Sequence, residues 1–578
     1  AFWLLLCGCG VGFSVQRHHV ERLPKLMKLE DWKALPEYAF VVPDTIEGWA
    51  DSLGELIYSR MGLRSGKPVF DLSNIRPKGS ALSIGGKAPG PEPLKVCLEK
   101  CEYLLSSVQA LRPIDCFDLI MFASDAVLSG GVRRAASIAL FSADDTEMMS
   151  SKTGNWWQEQ PQRARANISA VITPSTSKET YSTLFSKCKE FGEPGFIFSK
   201  STEFVYNPCV EIGMAPILIR DEKGAILDKY SISILENRND YEELGYTYKS
   251  GWQACNLTEV NCSKFTNKED ALEAVKAATI LGTAQAGYVE SDYLGRTSKL
   301  ILEREALIGV SLTGMANASD IAFDPDWQQE AAIVSIDTNR KFSSYLGIRH
   351  ASRTTCVKPS GNAAVLLGCA SGIHPEYAKK YIRNVQVSGD NPVVKFFKRY
   401  VPDAISESQW AAPGSNDVVI SFPLLNTTKA IYRKEVSAEE FIDMVLLTQK
   451  NWVRTGRAEN RVESLNHNVS NTILVSPQEW DSVKEKLWNN RDKLTGVSLL
   501  ASFGDYVYEQ PPFLEIHDDP QVGTDYYDKM LVAKERWERL REVWKSPKYT
   551  LLKESEDVTS LVKEAACTGG ACEFTLGV

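Results

Sequence analysis

The chain has 578 residues, and 65 Lys+Arg against 74 Asp+Glu leave a net charge of −9, with no basic excess for gripping a nucleic-acid backbone. A hydrophobic fraction of 43% with 24% charged residues excludes disorder over the whole chain and leaves enough apolar matter for a sizeable core. Thirteen irregularly spaced cysteines without a Cys-x-x-Cys pair exclude a disulfide-stapled secreted domain and point to a reducing, cytoplasmic setting, and no window reaches the ~18 apolar residues of a membrane span.

In chain order, Leu4–Leu6 read as a buried helix running into the turn Gly8–Phe13. A chain that begins in mid-core leads us to expect a further segment upstream. His18-His19 has no Asp, Glu or His at ligand spacing, so it reads as a surface pair and no metal site is expected. Asp71–Leu94, rich in Gly, Pro and Ser, reads as a long ordered loop. Gly85-Gly86-Lys87 within it fails as a phosphate loop, because Ala81 stands where the first glycine should be and Ala88 follows the lysine. Helical periodicity marks Val96–Arg112, Cys116–Leu128, Glu269–Gly287 and Trp327–Leu346. Between them lie short β-branched runs at Ala136–Phe141, Ile168–Ile172, Phe196–Phe198, Ile217–Ile219, Val418–Phe422 and Thr472–Val475. Short strands alternating with long helices predict an α/β fold built on a largely parallel sheet or barrel. From about Pro511 the composition turns polar, and the end reads as a mobile tail.

Several constellations carry chemistry. Gly130-Gly131-Val132-Arg133-Arg134 enters a strand, so its arginines point to opposite sides, one toward a phosphate and the other into an internal salt bridge. Lys358-Pro359-Ser360-Gly361-Asn362 precedes an apolar helix start, which suits either a phosphate site or a plain capped helix. Cys97 and Cys101, one helical turn apart among apolar neighbours, read as core. Cys567 and Cys572 flank Thr-Gly-Gly-Ala, a loop free enough to close a disulfide, and an exposed dithiol there suits electron transfer. In extended backbone Asn207, Cys209 and Glu211 share one side, lining up an amide, a thiol and a carboxylate fit to work on a polyol. Cys255 offers a second thiol.

Together these motifs resemble those of ribonucleotide reductases, most closely the monomeric adenosylcobalamin-dependent (class II) ribonucleoside-triphosphate reductases. The resemblance rests on Asn207–Ile212, Cys255-Asn256-Leu257, Lys358–Gly361, Ser371–Pro375 and the Cys567–Cys572 tail, with support from Gly8–Val15 and the stretch from Ser73 to Pro91. It implies a ten-stranded α/β barrel threaded by a finger loop, with the N-terminal part of the barrel missing, and a flexible C-terminal tail. It implies Cys209 as the thiyl radical, Glu211 as base at the 3′ hydroxyl and Asn207 as an amide on the ribose hydroxyls. Cys255 would be half of the reducing dithiol, and Pro359, Ser360, Gly361, Asn362 and Ala363 would hold the substrate phosphates. Cys567 and Cys572 would relay electrons from a thioredoxin-type partner. Arg133, Arg134, Arg163, Arg165 and Asn167 would lie on the loops that relay the identity of a deoxynucleotide effector. The cofactor implied is adenosylcobalamin, although the Asp-x-His-x-x-Gly cobalamin-ligating pattern is absent.

The boundaries expected are a catalytic barrel over 1–510 with an effector-site-like insertion at 30–95, an extension over 511–555 and a redox-active tail over 556–578. Two departures stand out. The partner of Cys255 belongs upstream of Gly8, so a separate N-terminal chain is one expectation. Tyr526-Tyr527 lie well before the tail, in a context unlike that of reductases fed by a metal subunit. That subunit-dependent enzyme, a catalytically incomplete nucleotide-binding fragment and a generic thiol oxidoreductase are the competing readings.

Overall fold

The computed structural model describes the chain except residues 81–87, 129–135, 390, 410–415, 428, 459–461, 503, 508, 546 and 553–578. Gly85–Lys87, Arg133, Arg134, Cys567 and Cys572 therefore lie outside the described residues.

Nine short strands carry the architecture: β1 (Gly10–Ser14), β2 (Ala136–Ser142), β3 (Ala166–Ile172), β4 (Gly195–Phe198), β5 (Asn256–Asn261), β6 (Ile308–Thr313), β7 (Thr355–Cys356), β8 (Thr472–Val475) and β9 (Gly496–Ala501). β2, β3, β4 and β6 are buried along nearly their whole length, as apolar runs covered on both faces should be. One sheet runs β1-β2-β3-β4-β9-β8 and another β5-β6-β7. All pairings are parallel except β4 with β9, where Gly496 faces Ile197. A parallel bridge between Val357 and Val469 joins the sheets just beyond β7 and before β8. Its bonds run from Val357 N to Asn468 O (3.1 Å) and from Ser470 N to Val357 O (2.8 Å). The spatial order is thus β1-β2-β3-β4-β9-β8-β7-β6-β5. Two parallel halves are set antiparallel to each other.

The α/β class agrees with expectation; ten strands in a closed barrel are not what the described residues form. Their series has nine strands and stays open, since neither β1 nor β5 pairs on its outer side. The segment before β1 touches the one that leads into β6, through Trp3 stacked on Tyr293 at 4.9 Å.

Helices cover the outside. α1 (Ile46–Arg60) is capped by Thr45 and packs, with Trp32 and the strand pair Glu37–Val41/Lys67–Asp71, against α2 (Glu92–Ser107) and α3 (Pro113–Leu128), in a small core that also takes in Phe2. α2 stops at Ser107 rather than Arg112, because the backbone turns extended at Val108 ahead of Pro113, whose ring lacks a donor. α4 (Lys268–Ala286) and α5 (Pro325–Leu346) are capped by Asn267 and Asp324, and α5 stops at the left-handed Gly347. The two are joined by buried bonds between Thr279 and Ser335 (3.1 Å) and between Asn339 and Thr283 (2.9 Å).

A four-stranded antiparallel sheet (Lys380–Val387, Ile405–Glu407, Val418–Leu425, Phe513–Glu515) and the helix Tyr527–Val543 share a further core. Residues beyond 510 thus complete a sheet begun at Lys380 instead of forming a body of their own. Tyr526 precedes that helix and is half exposed. No helix among the described residues is long and apolar enough to cross a membrane.

Candidate functional site

After β4 the chain enters a finger-like loop, residues 199–216, whose limbs pair antiparallel at Val205↔Met214 and Tyr206↔Gly213. Glycines let it pass. A Cβ on Gly12 of β1 would lie 1.7 Å from the carbonyl oxygen of Tyr206, and one on Gly309 of β6 would lie 2.9 Å from Ile212. A Cβ on Gly496 of β9 would lie 2.5 Å from Val210. The loop is pinned on the other side by buried His467, whose Nδ1 accepts from Gly213 N (3.2 Å) while Nε2 donates to Ile308 O (3.1 Å). Burial holds this imidazole well below its usual pKa, hence neutral. Buried Arg304, paired with Glu305 at 2.8 Å, donates to the carbonyls of Ile217 (2.7 Å) and Ala215 (3.0 Å) and fixes the exit.

The tip carries Asn207, Cys209 and Glu211, as a tight turn rather than the extended row expected. Val210 N donates to Asn207 O (2.8 Å), Ile212 N donates to Asn207 Oδ1 (2.9 Å), and Val210 takes φ +63°. The oxygen of the Asn207 amide is spent on the turn, which leaves its NH2 end for a ligand. Ser470 Oγ donates to the Cys209 carbonyl at 2.6 Å. Glu211 is 3% exposed, and burial raises its carboxyl pKa against the opposing pull of its own backbone, the Asn207 amide and the Lys358 charge. One of its oxygens, Oε2, has no partner, as a group waiting for a ligand proton would.

Facing the tip, alternation along β5 puts Cys255, Leu257 and Glu259 on one side, and Cys356 and Lys358 follow on β7 and its extension. Lys358 Nζ pairs with Glu259 at 2.9 Å. Burial, then the neighbouring Glu211, push the thiols of Cys255 and Cys356 well above their usual pKa. Both are free thiols. Sequence reasoning missed Cys356 and Glu259 here; the period of two in Cys255–Glu259 and Cys356–Lys358 was the available signal.

The loop expected to bind phosphate is only partly open to one. Ser360 N (3.0 Å) and Gly361 N (3.3 Å) both donate to Ser371 Oγ, and Ala363 N donates to Ser360 O. Ser360 Oγ is buried without a partner, and Asn362 lines the neighbouring cavity. The loop is backed by His374, whose Nδ1 bonds Ser371 O (3.0 Å) while Nε2 accepts from Thr472 N (3.0 Å), and burial lowers its pKa. Two cavities meet at Thr472. One, of about 340 Å³, is lined by Cys209, Pro359, Asn167 and Asn471; the other, of about 1030 Å³, by Gly361, His374, Tyr377 and Glu515.

Arg163 and Arg165 are held to α3, by Asp118 (2.7 Å) and Asp125 (2.9 Å), and do not reach the tip. Asn167 does come close, with Nδ2 3.5 Å from Pro208 O and Oδ1 buried without a partner.

No family model matches the chain. It is 26% identical over 512 residues to a probable adenosylcobalamin-dependent ribonucleoside-triphosphate reductase of Dictyostelium discoideum, covering 83% of this chain and 59% of that protein. It is 24% identical over 640 residues to the adenosylcobalamin-dependent ribonucleoside-triphosphate reductase of Lactobacillus leichmannii, covering 98% of this chain and 78% of the relative. The crystal structure of a B12-dependent (class II) ribonucleotide reductase matches with a TM-score of 0.68 at 21% identity, over 94% of this chain and 78% of that one. Over nearly its whole length, then, this chain is a homologue of the adenosylcobalamin-dependent ribonucleotide reductases and shares their fold.

Proposed function

We propose that this protein reduces ribonucleoside triphosphates to 2′-deoxyribonucleotides by thiyl-radical chemistry. The observation that carries the reading is the tip, where Glu211, a buried carboxyl with raised proton affinity, stands beside Cys255 and two residues from Cys209. A Cys209 thiyl takes the 3′ hydrogen and returns it to the 3′ carbon once the 2′ position is reduced, and Glu211 accepts the 3′-hydroxyl proton, to which burial suits it. The 2′ hydroxyl leaves as water. Cys255 and a second thiol supply two electrons and become a disulfide. The Asn207 NH2 orients the ribose, while Ser360 Oγ and Asn362 face the phosphates. Cys567 and Cys572 would then reduce the disulfide by exchange and pass the oxidation to a thioredoxin-type protein. Deoxynucleotide effectors would act through Arg133, Arg134 and the 161–167 segment.

Adenosylcobalamin supplies the radical when bound. The larger cavity, at about 1030 Å³ just above the usual range for drug-sized ligands, would receive it. His374 has both nitrogens engaged, so it does not ligate cobalt; hydrogen bonding and shape would hold the group. A tenth strand between β1 and β5, from additional polypeptide, would close the barrel and bring the second thiol to Cys255. Cofactor-dependent radical formation tests the reading. Adenosylcobalamin and nucleotide, without any metal subunit, should produce a paramagnetic signal in the wild type and none in Cys209→Ser. A signal that needs an added metalloprotein would overturn it.

A further inference from the structure

Glu203 stands at the root of the finger loop, and the two histidines just beyond β1 converge on it from 185 and 184 residues away. His18 Nε2 lies 2.9 Å and His19 Nε2 3.1 Å from the same oxygen, Oε1. One ligand atom from each of the three residues lies within 4.8 Å of the others. Glu203 is buried and the histidines half-buried, so the meeting point is open to solvent on one side. Burial pushes the Glu203 carboxyl up, but the hydrogen bonds from His18 and His19 outweigh it and hold the group well below the usual carboxylate range. It is anionic.

We propose that His18, His19 and Glu203 form a binding site for a divalent first-row transition-metal ion. With ligand bonds of ~2.1 Å, neighbouring donors stand about 3.0 Å apart at right angles and about 3.4 Å apart in a tetrahedron. The two N···O separations match the right-angled set, and an opening of a few tenths of an ångström would admit the other. An ion at this point takes the Nε2 lone pairs and leaves each ring hydrogen on Nδ1. For His19 that nitrogen faces Ser14 Oγ at 2.7 Å, the outer-shell partner a ligating imidazole needs. The remaining positions go to water. The ion would tie the end of β1 to the loop that carries Cys209, adding to the bond from Gln16 Nε2 to Thr202 O at 2.7 Å.

Titration of the full chain with Co²⁺ and Zn²⁺ tests this without any turnover. One Co²⁺ should bind with no thiolate-to-cobalt charge-transfer band, and Zn²⁺ should raise the melting temperature. His18→Asn, His19→Asn and Glu203→Gln should each weaken binding about tenfold or more and lose the thermal shift. Glu203 is buried and its variant can misfold, so His18→Asn, at a half-exposed position, decides. Unchanged affinity in that variant, a charge-transfer band that places the ion on cysteines, or no binding by the folded wild type would each overturn the site.

Discussion

Val210, β-branched at φ +63°, holds a conformation that costs ~1–3 kcal/mol, in a turn closed by the two bonds onto Asn207 and set against Gly496 of β9. That strain sits between Cys209 and Glu211 and fixes their relative aim. Cys209→Ser should abolish deoxynucleotide formation while nucleotide affinity stays within about twofold, because an alcohol cannot carry this radical step; product analysis alongside equilibrium binding checks both. Glu211→Gln should cost turnover roughly 10²-fold or more. It should also raise the melting temperature. The Glu211 carboxyl binds its proton more tightly folded than unfolded, so native stability falls as pH rises from the ordinary carboxylate pKa through the raised one. The gain from glutamine should therefore grow as pH rises from the ordinary carboxylate pKa through the raised one and shrink toward pH 4, which melts at several pH values would show.

At the scale of elements, the finger loop depends on strands that give up side chains where it passes. Gly496→Ala would put a methyl 2.5 Å from Val210 Cγ1 and force the tip to move. We expect a loss of about 1–3 kcal/mol in stability, typical of overpacking, and a fall in kcat of ten-fold or so with KM less affected. Steady-state kinetics with a denaturation curve separates the two effects. Long helices and apolar strands were legible in the sequence because each repeats its own period over many residues. β5, whose middle Leu257-Thr258-Glu259-Val260 mixes apolar and polar residues on each face, and the two-residue β7 were not, since neither carries an apolar period and only the spacing of two from Cys255 to Glu259 and from Cys356 to Lys358 marked them. The tip was misread as extended for a related reason: only Ile212 N closing onto the Asn207 amide makes it a turn.

For the molecule as a whole, the finger loop passes close against β1, β6 and β9 at their glycines, so on the proposed function a protein reductant reaches Cys255 less readily than a small dithiol does. Cys567→Ser or Cys572→Ser should stop turnover with a thioredoxin-type reductant and spare it with dithiothreitol. Equal loss with both reductants would make those cysteines structural.

What the sequence determined by itself was the chemistry: Asn207, Cys209, Glu211 and Cys255 each declare their type, and their order along the chain carried the resemblance. Tertiary structure alone decided who meets whom. Glu203 joins His18 and His19 across 185 residues, Cys356 comes to face Glu211, and Arg163 and Arg165 turn inward to Asp118 and Asp125. Such encounters follow from strand order and register, which set contacts between residues far apart in the chain and leave no trace in local periodicity.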